Sequence, residues 1–269
     1  MHGLAGEGAG GRLPISAFII TLNEAARLER TLAALWFCDQ VVVVDSGSSD
    51  DTVALAKAAG AEVHVRAWQG YGLQKAHAET LCRHDWLLNV DADEVVTPAL
   101  ADALVALFAG GAPEPCAWRV AILNVYPGAA RPRPLANDYC VVRFYHRSVA
   151  RYRAHPLFDR VLVDDGVAIG RLRGALWHYP LLSWAHFVEK ENRYTSYQAK
   201  AARLRPRWVL LLRLGVEFPF QFMKFYLIRR HITGGWQGFV FATTAAYARF
   251  LRIAKLLERT EAQAIAPEK

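Results

Sequence analysis

The sequence predicts an α/β fold, a mostly parallel sheet flanked by helices, with an α-helical extension at its C-terminal end. Three observations carry that expectation. Short β-branched runs alternate with segments of helical period, polar clusters follow those runs directly, and beyond Pro180 the strand signals stop while apolar residues continue at helical spacing. Strands that are nearly all apolar and joined through helices indicate a parallel sheet covered on both faces.

Ile15 to Thr21 is a β-branched run, followed by Asn23, which can cap a helix whose apolar positions Leu28, Leu32 and Leu35 recur at helical spacing. Val41 to Val44 is a second apolar run ending at Asp45, and the loop that follows leads into a helix over Val53–Ala59, closed by Gly60 as its C′ residue. Glu62–Arg66 reads as a third strand, Leu73–Cys82 as a helix and Trp86–Val90 as a fourth strand running into Asp91-Ala92-Asp93-Glu94. Pro98 opens the next helix in the first-turn position it tolerates, with Leu100, Leu104 and Leu107 on one face. From Cys116 to Gly174 the pattern turns to strand-like pieces, Trp118–Asn124, Val141–His146 and Arg160–Val163, an expected antiparallel edge and acceptor-side lobe. Helical stretches are expected around Trp184–Leu204, Trp208–Arg230 and Trp236–Glu258. The division expected is a flexible start over residues 1–13, a sheet domain over 14–180 and the extension over 181–269.

Charge is unevenly placed. The net formal charge is +7, yet Lys190 to the end holds fifteen basic and five acidic residues, a net of +10, leaving the preceding residues at −3. Four cysteines, Cys38, Cys82, Cys116 and Cys140, have no C-x-x-C spacing, which favours a reducing compartment. The Gly-rich start has no apolar core of signal-peptide length and is expected to be no targeting sequence. The longest apolar run, Trp208–Tyr226, is interrupted by Arg213, Glu217, Pro219 and Lys224, whereas a spanning helix wants about 20 apolar residues.

In parallel sheets ligands sit at the carboxyl ends of strands, where all three polar clusters fall. Asp91 and Asp93, one residue apart in a loop, can both turn toward one Mg²⁺ or Mn²⁺ that keeps positions open for diphosphate oxygens. The plainer alternative is a solvated turn capping the next helix. Asp45 ends a strand, where its carboxylate can accept from a base N–H or a ribose hydroxyl, while Asp50 and the nearby serines suit capping. Thr21, Asn23 and Glu24 fit either ligand contact or a helix start. Lys75, near a helix N-terminus where the dipole disfavours cations, suits a bound anion or is a solvated surface lysine.

The order IIxLNEAARLERTLAAL, VVVVDSGSSDDT, GYGLQKAHAE, DWLLNVDADE resembles the family 2 glycosyltransferases, specifically the branch of the lipopolysaccharide core β-glucosyltransferases, over about residues 14–200. The resemblance implies a GT-A fold, a nucleotide-diphosphate sugar donor such as UDP-glucose, a divalent metal, and inversion at the anomeric carbon. Thr21, Asn23, Glu24 and Asp45 match segments that hold the nucleotide, Lys75 the basic residue near the donor, and Asp91 and Asp93 the ribose and metal carboxylates. Relatives often read Q-K-N where this chain reads Gln74-Lys75-Ala76. An inverting transfer needs one general base on the acceptor side. Where relatives commonly place a His-Glu pair before a short strand, this chain has Pro156-Leu157-Phe158-Asp159-Arg160-Val161, which makes Asp159 the candidate base, with Asp164 and Asp165 as competitors and an ion pair with arginine as its plainer role. Trp177-His178-Tyr179 resembles the H-Y of the same branch, so His178 can complete a metal shell or touch the diphosphate, or simply pack among aromatics.

In the extension, aromatics such as Trp208, Phe220 and Trp236 interleave with Arg205, Arg207, Lys224, Arg229 and Arg230. That pattern suits helices lying on an anionic membrane face, or alternatively packing on the catalytic domain or a partner. The expectation is an inverting transferase peripheral to the inner face of a bacterial inner membrane, acting on a lipid-linked or lipopolysaccharide-core acceptor, with no nucleic-acid partner. The alternatives are a nucleotidyltransferase, which would ordinarily bring a Gly-rich phosphate loop where this chain has Thr21-Leu22-Asn23-Glu24, and a non-catalytic membrane-binding adaptor.

Overall fold

A computed structural model describes residues 11–136, 139–156 and 159–265. The start expected to be flexible falls outside the described residues up to Gly10, as do Leu157 and Phe158 beside the candidate base. Two compact units divide the chain: one runs to Leu123 and resumes from 137 to His178, the other takes Asn124–Ala136 and everything from Tyr179.

The first unit is built on strands β1 (Leu13–Thr21), β2 (Cys38–Asp45), β3 (Glu62–Val65) and β4 (Trp86–Asn89), with β5 (Glu94–Val96), β6 (Ala117–Asn124), β7 (Tyr139–His146) and β10 (Ile169–His178) completing the sheet. Their order is β3-β2-β1-β4-β7-β6-β10-β5. The first four run parallel, with Thr21 opposite Asp45 and Phe18 opposite Asn89; β7 then joins β4 antiparallel, and β6 joins β7 likewise. A short hairpin, β8 (Ala150–Tyr152) and β9 (Val161–Val163), stands apart from the sheet. Helices α1 (Ala25–Ala33), α2 (Thr52–Ala58), α3 (Tyr71–Leu81) and α4 (Pro98–Leu107) are the crossovers.

The apolar alternation read from the sequence is what fills the two faces. Ile15, Ala17, Ile19, Val43 and Leu88 point to one side with Leu28 and Leu35 from around α1 and Leu100 and Leu104 from α4; Phe18, Val42, Val44 and Leu87 point to the other with Ala78 of α3. Thr97 caps α4 by accepting from the Leu100 amide, and Pro98 sits where its missing N–H costs nothing. Gly60 closes α2 at φ +82°, the conformation a C′ glycine supplies. Strands β5, β8 and β10 go beyond the sequence expectation. The first two span only three residues each, and β10 alternates apolar and arginine side chains in a stretch whose glycines obscured the period.

The second unit is helical: α5 (Trp184–Ala201), α6 (Arg207–Met223), a π-turn over Lys224–Ile228, a 3₁₀ turn over His231–Gly234 and α7 (Gly235–Ile265). Ser183 caps α5 by accepting from the His186 amide. The segment Asn124–Ala136, read from sequence as part of the sheet domain, belongs here: Tyr126 hydroxyl bonds His231 Nδ1 at 2.6 Å, and Thr233 donates to the Pro134 carbonyl. Among the described residues no helix is long and apolar enough to cross a membrane.

Candidate active site

Because β1, β2 and β4 are parallel neighbours, the loops that leave Thr21, Asp45 and Asn89 emerge side by side. In the β2 loop, Asp45 accepts from the amides of Gly47 and Ser48 through Oδ1 (2.9 and 2.8 Å) and from the hydroxyls of Thr21 and Ser48 through Oδ2 (3.0 and 2.5 Å). Burial pushes its carboxyl up, and these bonds together bring it below the usual range. The sequence reading gave Asp45 to a ligand and left the serines to the turn. Here the buried carboxylate shapes the turn, with Ser48 and Thr21 as its partners.

Asn23 departs from the helix cap expected of it. It does not cap α1: at φ +55° its side-chain oxygen accepts from the Ser49 amide (2.8 Å) and its own amide donates to Ser48 Oγ (2.8 Å). The start of α1 is served by Asp50, whose Oδ2 accepts from the Ala25 amide (3.1 Å) while Oδ1 accepts from the Thr52 amide at the start of α2. One carboxylate thus serves two helix N-termini, where a negative charge is favourable. Glu24 pairs with Arg27 at 2.6 Å, and Arg27 reaches on to Asp93 at 3.4 Å.

The second cluster centres on Lys75. Its ammonium lies 2.8 Å from Asp91 Oδ1 and 2.9 Å from Asp159 Oδ2, and over the Tyr152 ring at 5.4 Å. With only 1% of the side chain exposed, this is no surface lysine. A buried cation persists where anions compensate it; burial works against its charge, and Asp91 foremost keeps it protonated. Asp91 in turn gives Oδ2 to Arg143 at 2.7 Å. Burial pushes the Asp91 carboxyl up, but Arg143 and Lys75 hold it well below the usual carboxylate range. Arg143 also meets Glu94 at 2.8 Å and donates to Asn89 Oδ1, which accepts from the Tyr152 hydroxyl at 2.7 Å. Glu94 is fully buried, and burial pushes its carboxyl up to about 6.

The third group is Asp93 with His178. Asp93 Oδ2 lies 3.3 Å from His178 Nε2, and His178 Nδ1 is 3.2 Å from the Tyr139 hydroxyl. Asp93 supplies the carboxylate oxygen that Mg²⁺ or Mn²⁺ takes, whereas His178 offers a nitrogen, which these hard cations take less readily, and Arg27 shares the same Asp93 oxygen. The Tyr139 contact fixes the imidazole as a second partner does for metal-bound histidine. Asp91, expected to share the ion, fits less well, since Lys75 and Arg143 each take one of its oxygens. Among the described residues no group of three or more His, Cys, Asp and Glu side chains is placed to hold an ion.

A cavity of about 450 Å³ opens beside these clusters, lined among others by Asp91, Tyr152, Asp159, Arg119 and Cys140. Asp159 is its exposed carboxylate, 36% exposed and paired with Lys75 rather than the arginine that sequence suggested. Asp164 lies elsewhere, 3.2 Å from Arg151 beyond β9, and Asp165 is exposed. Arg143, Glu94 and Tyr152 were missed from sequence. Glu94 stood in the polar cluster after the fourth strand without being given a role, and Arg143 left a signal as a charge inside the apolar strand V-V-R-F-Y.

A mostly parallel sheet with acidic loops at its strand ends and an antiparallel continuation is the GT-A arrangement of a sugar transferase. The family model described as glycosyl transferase family 2 matches residues 16–178; the chain belongs to that family and is a glycosyltransferase. It is 38% identical over 253 residues to an "Uncharacterized glycosyltransferase" of Rickettsia bellii, covering 91% of this chain and 86% of that one. It is 32% identical over 256 residues to the lipopolysaccharide core biosynthesis glycosyltransferase LpsC of Rhizobium meliloti, covering 92% and 93%. Glucosyl-3-phosphoglycerate synthase of Mycobacterium tuberculosis, solved with Mn²⁺, UDP and glucosyl-3-phosphoglycerate, is similar at a TM-score of 0.39 and 20% identity, covering 64% of this chain and 74% of that one.

Proposed function

We propose that the chain moves a sugar from a nucleotide-diphosphate sugar, UDP-glucose-like, to a lipopolysaccharide-core or other lipid-linked glycan, with inversion, at the inner face of a bacterial inner membrane. The observation that carries this is Lys75 holding Asp91 and Asp159 together at one edge of the cavity. A donor-side carboxylate and an acceptor-side carboxylate are thereby tied to one buried cation. The relationship to LpsC, over nearly the full length of both chains, supports a lipopolysaccharide-core acceptor.

In this reading the β1 and β2 loops, shaped by Asp45, Thr21, Asn23 and Glu24, cradle the nucleotide, and Asp91 faces the ribose. Asp93 and His178 hold the divalent ion, which when bound neutralises charge on the departing diphosphate. Asp159 takes the proton from the acceptor hydroxyl. Its Oδ2 is oriented by Lys75, so the remaining oxygen is the one that receives the proton. A base so placed contributes about 10²–10⁴-fold. The test is sugar transfer and donor hydrolysis with a panel of UDP-, GDP-, ADP- and dTDP-sugars plus Mn²⁺, on Asp93→Ala and Asp159→Asn. Loss of about 10²-fold or more is expected in each; full activity in either variant removes that residue from the mechanism. Melting temperature with nucleoside diphosphate and Mn²⁺ should rise, since a ligand that binds only the folded state stabilises it. No shift with any nucleotide would overturn the nucleotide-diphosphate donor.

A further inference from the structure

Helix α6 is turned inside out. Its inward side carries Leu210 and Leu214, packed with Ile253, Leu256 and Leu257 of α7, together with Glu217, which is buried and paired to Arg213 at 2.8 Å. The outward side carries Trp208, Leu211, Leu212, Val216, Phe220 and Met223, every one exposed, with Leu212 at 66% and Phe220 at 64%. Gly215 and Pro219 fill the remaining outward positions, so the stripe holds no charge over its length. Seventeen residues of helix give it a length of about 25 Å. Leu227 and Ile228 extend it through the π-turn, and Phe239, edge-on to Phe222 and Tyr226, joins it from α7. Single exposed apolar side chains are ordinary, but a contiguous stripe of this kind marks a covered surface.

Charge identifies what covers it. Arg203, Arg205 and Arg207 stand exposed before the stripe, and Arg229 and Arg230 stand exposed after it. A second copy of the chain would set cations against cations, because pairing α6 with itself in either direction places an arginine end on an arginine end. An anionic bilayer has the opposite complement, acyl chains for the stripe and phosphate headgroups for both arginine ends. Helix α6 is not long and apolar enough to cross a membrane, so the arrangement open to it on a bilayer is in the interface plane. We propose that the outward face of α6, flanked by Arg203–Arg207 and Arg229–Arg230, is the surface by which the chain docks on an anionic membrane. This deepens the membrane reading above and rests on it.

The test is sedimentation with vesicles of mixed phosphatidylglycerol and phosphatidylcholine, against phosphatidylcholine alone, using the full chain. Wild type should partition onto the anionic vesicles, and removing phosphatidylglycerol should weaken binding about tenfold or more, at roughly 1 kcal/mol per arginine near the surface. The double variant L212E/F220E should lose at least about tenfold of the partition while keeping its melting temperature and its response to nucleotide with Mn²⁺. R229E/R230E should weaken binding to anionic vesicles alone. No vesicle binding by wild type, equal binding by L212E/F220E, or a lipid-free dimer that L212E/F220E dissociates would each overturn the proposal. A chain that docks on vesicles but transfers no sugar from any donor supports this surface and overturns the reaction instead.

Discussion

Arg143 shows how much of this site rests on a residue that no candidate motif contained. Its guanidinium holds Asp91, Glu94 and Asn89 together, and its side chain is only 7% exposed. Three acceptors in different directions require a planar fork of donors, which lysine lacks. Arg143→Met should therefore lower unfolding free energy by about 3–5 kcal/mol, the usual cost of leaving a buried carboxylate without its partner. Arg143→Lys should recover only part of that. Adding Glu94→Gln to Arg143→Met should restore some stability, because the uncompensated charge is gone. Urea denaturation of the variants checks this, and a cost for Arg143→Met within the error of the measurement would show that Glu94 is not charged in the folded state. The site was partly legible for the same reason. Asp91 and Asp93 stand with Glu94 in one short motif after β4, so their neighbourhood followed from chain order, whereas Arg143 reaches them through the antiparallel pairing of β7 with β4 and Tyr152 from the β8–β9 hairpin, which no local pattern encodes. The pairing of Lys75 with Asp159 spans 84 positions, and nothing at either end announces it.

At the scale of elements, the parallel strands and their crossover helices were readable because apolar runs alternate with helical periods, and helices α5 to α7 were readable from their spacing. The antiparallel half was harder, since β10 mixes arginine with leucine and β8 has three residues. One junction couples elements to chemistry. Gly70 precedes α3 at φ +119°, and a Cβ there would meet the Pro156 carbonyl oxygen at 2.3 Å and its Cα at 2.5 Å. The start of the helix that carries Lys75 therefore touches the loop that carries Asp159 with no room for a methyl group. Gly70→Ala must displace one against the other, and backbone strain at positive φ adds about 1–3 kcal/mol. The expected outcome is a tenfold or greater fall in kcat, with a drop in melting temperature of several degrees, because a small misplacement of a base is costly. Gly60→Ala, also at positive φ but with open space around its Cβ, is the control for strain alone: it should cost stability and leave kcat unchanged. Equal kcat in the two variants would show that the Gly70 contact does not position Asp159.

Across the molecule, acidic and basic character are separated along the chain. The first 189 residues carry a net −3, with Asp91 and Asp159 facing Arg119, Arg143 and Arg160 around the cavity, and the +10 of the remainder includes the arginines that flank an apolar helix face. The net charge of +7 therefore describes neither part. Four free cysteines make the first unit's behaviour measurable. Cys38 and Cys82 are buried in its two cores, on opposite faces of the sheet, and burial pushes the Cys82 thiol up to about 12. A thiol so placed reacts only when the surrounding structure opens. Cys140 lines the cavity beside Tyr139, whereas Cys116 packs at the edge of the larger core. Alkylation of the native protein should therefore modify Cys140 and Cys116 ahead of the other two. Donor nucleotide with Mn²⁺ should slow modification of Cys140 several-fold and leave Cys116 unchanged, since only the former borders the space the donor and acceptor share. Mass spectrometry of tryptic peptides over a time course reads each thiol separately. Protection of Cys38 and Cys82 should grow with the same ligand in proportion to the added global stability, because their exposure requires unfolding that the ligand opposes. Equal protection at Cys140 and Cys116 would mean that the nucleotide stabilises the first unit from a site other than this cavity.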